Sequence, residues 1–536
     1  MFRSQRRPFA GLSALGPTFL SGVLSAFALT SLGLSAGPAY ARSEAAKPSP
    51  KSAPPQQSSP KVLPFVENDY ATARATALRK GKLLLVDAWA LWCHTCLSMK
   101  NFVFTDSMLA PLADQLVYLS IDTEEPSNAT FLQRFSISAL PTFLVLDGEE
   151  KVVARWTGAM SAPEFSKRLL ELLSVQAKQR PRLAEAEAEA AKGHPREAAR
   201  LYEDALSEPG SRPQALLGLV QALRELGQNE RCVEVFEQSF QHVGKSALGT
   251  DFASYAASCM DKLSDVDRRQ KLRRRLRSDL ELLLSDPNAE LSVDDRSDGY
   301  GTMIELSDAL GETAVGDGLA TTRLDLLEKA AAAAPSPLVA ATFDAHRFDC
   351  YRRLKRWKPA ENMLLGSAKA LPTDYNPPAR LARLYYETGR IEDAQRNIDL
   401  ALSLCHGPRR VGMYELRAGI QNSQGRTRGA IESLTSAISI HQATQTDSGS
   451  GESARLRALK QQVAGLEAKL RQQPEPPEDE EPQPTGKVGS PAKKKPGPRP
   501  PKTDPAKSTP PRYEPGMPVA GKKRDRRVAH RDSNIK

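Results

Sequence analysis

The chain has 536 residues, 40% apolar and 6% aromatic, with 40 prolines and a formal net charge of +10. That length exceeds one core and predicts two or three folded units, while the prolines and sparse aromatics exclude a chain that folds throughout. The charge is no nucleic-acid signature, because residues 487–536 hold 15 Lys/Arg against 4 Asp/Glu and leave the remainder near neutral.

Residues 1–41 read as an export signal. Arg3, Arg6 and Arg7 precede an apolar, Gly/Ser-containing run from Phe9 to Ala36, and Ala39-Tyr40-Ala41 is a small-residue cleavage site. Arg6-Arg7-Pro8-Phe9 resembles a twin-arginine signal, but Gln5 stands where that family prefers Ser or Thr, which favours the general secretory route. No Cys at the cleavage point calls for a lipid anchor. An uncleaved anchor is the alternative, since the apolar run is long enough to span a bilayer. The expected compartment is the periplasm, where stable disulfides form.

Residues 42–61 are expected to be a disordered Pro/Ser/Lys/Gln linker. From 62 to 176 helix and strand patterns alternate. A helix at Tyr70–Leu78, a strand at Leu83–Trp89, a helix opening at Cys93 and a helix at Ser107–Gln115 come first. A strand at Leu116–Ile121 and a helix at Asn128–Phe135 follow, then strands Phe143–Leu146 and Val152–Trp156 around Asp147-Gly148, and a helix at Ser161–Leu173. That order predicts an α/β sandwich.

Cys93-His94-Thr95-Cys96 lies where an apolar strand meets a helix start. Such a position lowers a thiol's pKa, so Cys93 is the expected nucleophile and Cys96, one turn on, the resolving thiol. A structural disulfide or half a zinc site are the alternatives, and no second CxxC or HxxxH follows to complete a zinc site. Protonated His94 would favour the thiolate and make the disulfide more oxidising; otherwise it is a spacer. Asp87, inside the apolar strand, is a candidate buried carboxylate that takes the Cys96 proton, or else a solvated strand-end acid. Trp92 beside Cys93 is expected to shape a substrate groove. The only cofactor expected is the Cys93–Cys96 disulfide itself; no bound cofactor or metal is expected.

The segment resembles a thioredoxin domain, most closely the reducing C-terminal domain of DsbD-type thiol:disulfide interchange proteins. The likeness rests on Asp87, Trp89 and Ala90, on Trp92-Cys93-His94-Thr95-Cys96, and on Phe104-Thr105-Asp106. Ile121-Asp122, Leu140-Pro141-Thr142 and Gly158 complete it. The resemblance implies that Pro141 is a cis-proline facing the thiols, with Leu140 and Thr142 beside the substrate strand. It implies protein thiols and disulfides as partners, and an electron donor or acceptor that could reside in the inner membrane. The chain departs from the family at Tyr118, where a Lys usually pairs with the buried Asp, and in its His-Thr dipeptide. Cation and missing Lys leave the direction of electron flow open.

Residues 180–471 turn Ala/Leu/Arg/Glu-rich. Gly193 and Ala198 recur as Gly227 and Cys232, each 34 on, while Ala360, Ala394 and Ala430 are 34 and 36 apart. Leu381-Ala382, Tyr385, Gly389, Ala394 and Ala401 resemble a tetratricopeptide unit, and Ala198, Tyr202 and Ala205 fit the same template. The repeats, clearest over 183–242 and 338–442, form an all-α solenoid that would bind a protein partner. Between Phe252 and Pro335 the period blurs, with a charged helix at Asp265–Leu284 and an acidic, Gly-bearing loop at Asp294–Gly301. Cys232 fills a small-residue packing position, with a bridge to Cys259 as the alternative; Cys350 and Cys405 have no evident partner, and His406 no co-ligand. Ser453–Arg471 is a capping helix. The tail, 472–536, is expected to be disordered, with weak affinity for anionic surfaces and no specific nucleic acid. The sequence therefore supports a thiol:disulfide oxidoreductase with partner-binding repeats, or an envelope adaptor whose thioredoxin domain is vestigial or regulatory.

Overall fold

A computed structural model describes residues 62–174, 181–444 and 453–472. The export signal, the linker and the tail beyond Gln472 lie outside these residues. Among the described residues no helix is long and apolar enough to cross a membrane.

The α/β part is built on strands β1 (Phe65–Glu67), β2 (Leu84–Trp89), β3 (Val117–Asp122), β4 (Thr142–Leu146) and β5 (Val152–Thr157). They form one sheet in the order β1-β3-β2-β4-β5. β1 and β2 run parallel to β3, whereas β4 is antiparallel to β2 and β5. Strand β2 sits in the middle, and its run Leu84-Leu85-Val86 is buried because both faces are covered. On one face Leu85, Tyr118 and Phe143 pack with Met99, Phe104 and Phe165. On the other, Leu84, Val86 and Leu144 pack with Ala73, Ala77 and Phe131. The covering helices are α1 (Tyr70–Lys80), α2 (His94–Ser98), α3 (Ala129–Arg134) and α4 (Ala162–Leu173). α2 runs directly into a π-helical turn, Met99–Val103. Where a helix was expected at Ser107–Gln115 there is only a 3-10 turn, Ser107–Leu112, because Pro111 inside it has no N–H to extend an α-helical ladder.

The rest is helical: α5 (Pro181–Ala191), α6 (Pro195–Ala205), α7 (Arg212–Glu225), α8 (Asn229–Ser239), α9 (Ala247–Met260), α10 (Val266–Ser285), α11 (Val293–Ala309) and α12 (Thr313–Ala333) come first. Then follow α13 (Pro337–Ala340), α14 (Asp344–Arg353), α15 (Trp357–Ala370), α16 (Asn376–Glu387), α17 (Ile391–Leu404), α18 (Arg410–Ser423), α19 (Thr427–Thr444) and α20 (Ala454–Arg471). Gly193, Gly227, Gly311, Gly389 and Gly425 sit in the turns of five helical hairpins, all at positive φ, and Lys355 takes that conformation between α14 and α15. A helical hairpin with a positive-φ glycine turn is therefore present at Gly311, in the stretch where the sequence period blurs.

Residues Asp294–Gly301 are helix, not loop. Ser292 caps α11 by accepting the Asp295 N–H, and the Asp295 carboxylate returns to the Ser292 N–H, so the acids serve the helix start. The glycines are there for contact: a Cβ on Gly299 would lie 2.8 Å from Leu284 of α10, and one on Gly301 3.3 Å from Arg323 of α12. Cys232 of α8 and Cys259 of α9 are joined by a disulfide, while Cys350 and Cys405 are free and buried.

The two parts share a boundary. α5 lies along edge strand β5, where the Glu187 carboxylate accepts the Arg155 N–H at 2.9 Å and Ala191 enters the sheet's core.

Candidate active site: a redox pair under a helical cover

Strand β2 delivers the chain to a tight turn in which the Cys93 N–H donates to the Ala90 carbonyl at 3.0 Å. Cys93 then caps α2, its Sγ accepting the Cys96 N–H at 3.1 Å. That amide is one a helix start leaves unpaired, so the sulfur sits where partial positive charge collects. Cys93 and Cys96 are joined as a disulfide, 5% and 0% exposed. Trp89, Trp92 and Leu140 pack around them. The Leu140–Pro141 peptide is cis. Thr142, expected beside an open groove, lines none. It begins β4 between Ala88 and Thr157, is fully buried, and donates its hydroxyl to the Ala139 carbonyl at 2.7 Å.

Asp87 is 1% exposed, and neither carboxylate oxygen has a hydrogen-bond partner. Burial pushes its pKa up to about 6, with Lys100 pulling the other way. Lys100 Nζ stands 3.7 Å from Asp87 Oδ2, donates to Ser120 Oγ at 2.6 Å and lies 4.0 Å over the Trp89 ring. The cation absent at position 118 thus arrives from the turn after α2, and Tyr118 instead donates its hydroxyl to the Leu112 carbonyl at 2.7 Å.

The helical array folds over this motif and touches it at Leu91, Trp92 and His94. His94 Nδ1 is 3.1 Å from Asp294 Oδ1 and its Nε2 3.7 Å from Asp298 Oδ1, both on α11. Burial opposes its charge, but Asp298 and Asp294 outweigh burial and push its pKa up to about 9, so His94 is a cation at neutral pH. His346 of α14 packs beside it, its ring tilted by 55° with 3.7 Å between centroids, and burial, Arg323 and charged His94 hold His346 neutral. Further along, Asn101 donates to Thr342 Oγ1 at 2.8 Å and Phe102 meets Phe343. Asn376 donates to the Leu91 carbonyl at 3.3 Å, and the Tyr375 hydroxyl to Glu124 Oε2 at 2.9 Å. Arg409 lies 5.1 Å over Trp92, which packs against the array's own core rather than lining an open groove. Burial pushes Glu124 up to about 7.

The closest approach is at Gly158, φ +84°, where a Cβ would lie 1.8 Å from Asp251 Oδ2 of α9. Gly158→Ala should therefore cost about 1–3 kcal/mol, from the positive φ and from overpacking against α9. A lowered urea midpoint with unchanged slope is the expected reading; an unchanged midpoint would mean α9 is not held there.

The sequence reading missed Asp294, Asp298, His346, Glu124 and Tyr375. They lie up to about 285 positions from the groups they touch, and no local pattern links such partners.

A family model described as a thioredoxin-like domain matches residues 70–173. The thiol:disulfide interchange protein DsbD of Pseudoalteromonas atlantica is 33% identical over 103 residues, 18% of this chain and 17% of that protein. DsbD of Yersinia enterocolitica is 34% identical over 125 residues, 22% of each. The chain thus spans less than a quarter of the length of these relatives. Of solved structures, a tetratricopeptide repeat protein from Parabacteroides merdae aligns over 53% of this chain and 97% of its own length, with TM-score 0.38 and 13% identity. Residues 70–173 are a thioredoxin-like domain, and an array of helical hairpins follows.

Proposed function

We propose that this chain is an exported, periplasmic thiol:disulfide oxidoreductase whose helical array closes over the redox pair and must move for a protein substrate to enter. The observation that carries this reading is the Cys93–Cys96 pair at the start of α2, with Cys93 Sγ on a backbone amide, the buried Asp87 carboxylate in the strand behind and the Lys100 ammonium, from the turn after α2, beside it. In the reducing direction, the Cys93 thiolate attacks one sulfur of a substrate disulfide, forming a mixed disulfide and expelling the other sulfur as a thiolate. Asp87 takes the Cys96 proton, and Cys96 then attacks Cys93 Sγ. That step forms the intrachain disulfide seen in the structure and releases the substrate's second thiol. The substrate gains two electrons, and a dithiol donor returns them to the chain, with the inner membrane a natural place for that donor. His94 as a cation favours the Cys93 thiolate and draws the couple towards oxidation of substrates. Export rests on residues 1–41, and protein partners for the array on its repeats.

The cover over Cys93 also favours a second reading, in which the array is an envelope adaptor and the redox domain regulates it. One experiment separates them. Full-length Cys96→Ser, mixed with oxidised periplasmic extract, should accumulate mixed disulfides on Cys93 that dithiothreitol releases, and the unaltered chain should turn over insulin disulfides with dithiothreitol. No adduct and no Cys93-dependent turnover would leave the adaptor.

A further inference from the structure

Among the described residues, His94, Asp298 and His346 are the one group whose potential ligand atoms all lie within 4.8 Å of one another. We propose that His94 Nε2, releasing its proton as the ion binds, His346 Nε2 and an Asp298 carboxylate oxygen form a site for a divalent transition-metal ion of the zinc and cobalt(II) class, which ties the redox motif to α11 and α14.

The spacing fits. Asp298 Oδ1 is 3.7 Å from His94 Nε2 and 3.4 Å from His346 Nε2. The edge of a tetrahedron whose ligands stand about 2.0–2.2 Å from the ion is about 3.3–3.6 Å. The outer partners fit as well. His94 Nδ1 meets Asp294 Oδ1 at 3.1 Å, and His346 Nδ1 meets Ser297 Oγ at 2.7 Å. Ser297 Oγ is in turn fixed by the Arg323 Nε–H at 2.9 Å. Each imidazole is therefore anchored through Nδ1 and turns Nε2 to the same carboxylate, the arrangement by which outer groups orient histidines for a metal. Two imidazoles with one carboxylate suit zinc-class ions better than calcium or magnesium, which take oxygen ligands. His346 is buried, but the His94 and Asp298 side chains are 23% and 34% exposed, which leaves a way in and a fourth position open. Because His94 belongs to α2 and the other two ligands to the array, a bound ion would hold the cover shut. None of this depends on thiol exchange taking place.

The test uses the oxidised full-length chain, stripped with chelator, in which Cys93, Cys96, Cys232 and Cys259 are held as disulfides. Titration with Co²⁺, followed by visible absorption and reversed by Zn²⁺, should show one equivalent bound, without a sulfur-to-cobalt charge-transfer band. His346→Ala and Asp298→Asn should each weaken binding at least 100-fold, and Asp294→Asn, which removes an outer partner, by about 10–100-fold. Circular dichroism checks folding; if His346→Ala does not fold, Asp298→Asn, at a partly exposed carboxylate, decides. No saturable binding, a charge-transfer band, or affinity unchanged in folded Asp298→Asn would overturn the site.

Discussion

In chelator-treated, reduced protein, Asp294→Ala combined with Tyr375→Phe should raise the alkylation rate of Cys93 by about 10²-fold. The two side chains grip the redox motif from opposite flanks: Asp294 holds charged His94, and Tyr375 holds Glu124 next to Trp92. A hydrogen bond to a charged group contributes about 1.5–3 kcal/mol, and each 1.4 kcal/mol is tenfold in an equilibrium. If the reagent reaches Cys93 only when the array lifts, losing both contacts shifts that opening by about two powers of ten. Contacts at Asn101, Asn376 and Gly158 remain, so the array stays attached. Cys350 and Cys405 are free and buried within the array, so they report general unfolding and should stay slow to react. A Cys93 rate within twofold of the unaltered chain would mean that the cover does not limit access.

Asp87→Asn should stabilise the protein by more at pH 7.5 than at pH 4.5, with a difference of about 2 kcal/mol in urea unfolding. Folded Asp87 titrates near 6, above its unfolded value of 3.8, because burial penalises the charge more than Lys100 at 3.7 Å relieves it. The folded state therefore holds the proton more tightly. Stability from this group is present below the unfolded pKa, falls as pH rises between 3.8 and about 6, and stays lost above, at about 1.4 kcal/mol per unit. Asn has no charge to bury, so the penalty disappears where it was paid, at neutral pH. Its amide is itself unpaired in that strand, which costs about 1–3 kcal/mol at both pH values and cancels in the difference. The same variant should slow the step in which Cys96 resolves a mixed disulfide, since its proton acceptor is gone. Equal effects at the two pH values would remove Asp87 as a strained acid.

The thioredoxin-like domain was legible because its information is local. The apolar run of β2, the Asp147-Gly148 turn and the CxxC at a helix start each declare themselves within a few residues. The helical hairpins declared themselves through glycines that must take positive φ, at Gly193, Gly227 and Gly389. What failed was also physical. Asp294-Asp295 with Gly299 and Gly301 has the composition of a loop, yet Asp295 closes a capping box, Asp294 meets His94, and the glycines admit Leu284 and Arg323. Lys100 replaces a cation expected one strand away, which only the three-dimensional neighbourhood of Asp87 reveals. The cover itself lay beyond reach, because a contact between His94 and Asp298 is written nowhere near either residue.

The seam between α5 and β5 bears on how this molecule can be dissected. Glu187 occupies the Arg155 N–H, and Ala191 plugs the sheet's core at its margin. A fragment ending at Leu173 would lose both and bare a sticky flank, a row of vacant amides that a second copy could stitch itself onto. Such a fragment would differ from the parent in self-association as well as in thiol access, so a fast-reacting or dimeric excised domain would say little about the intact chain.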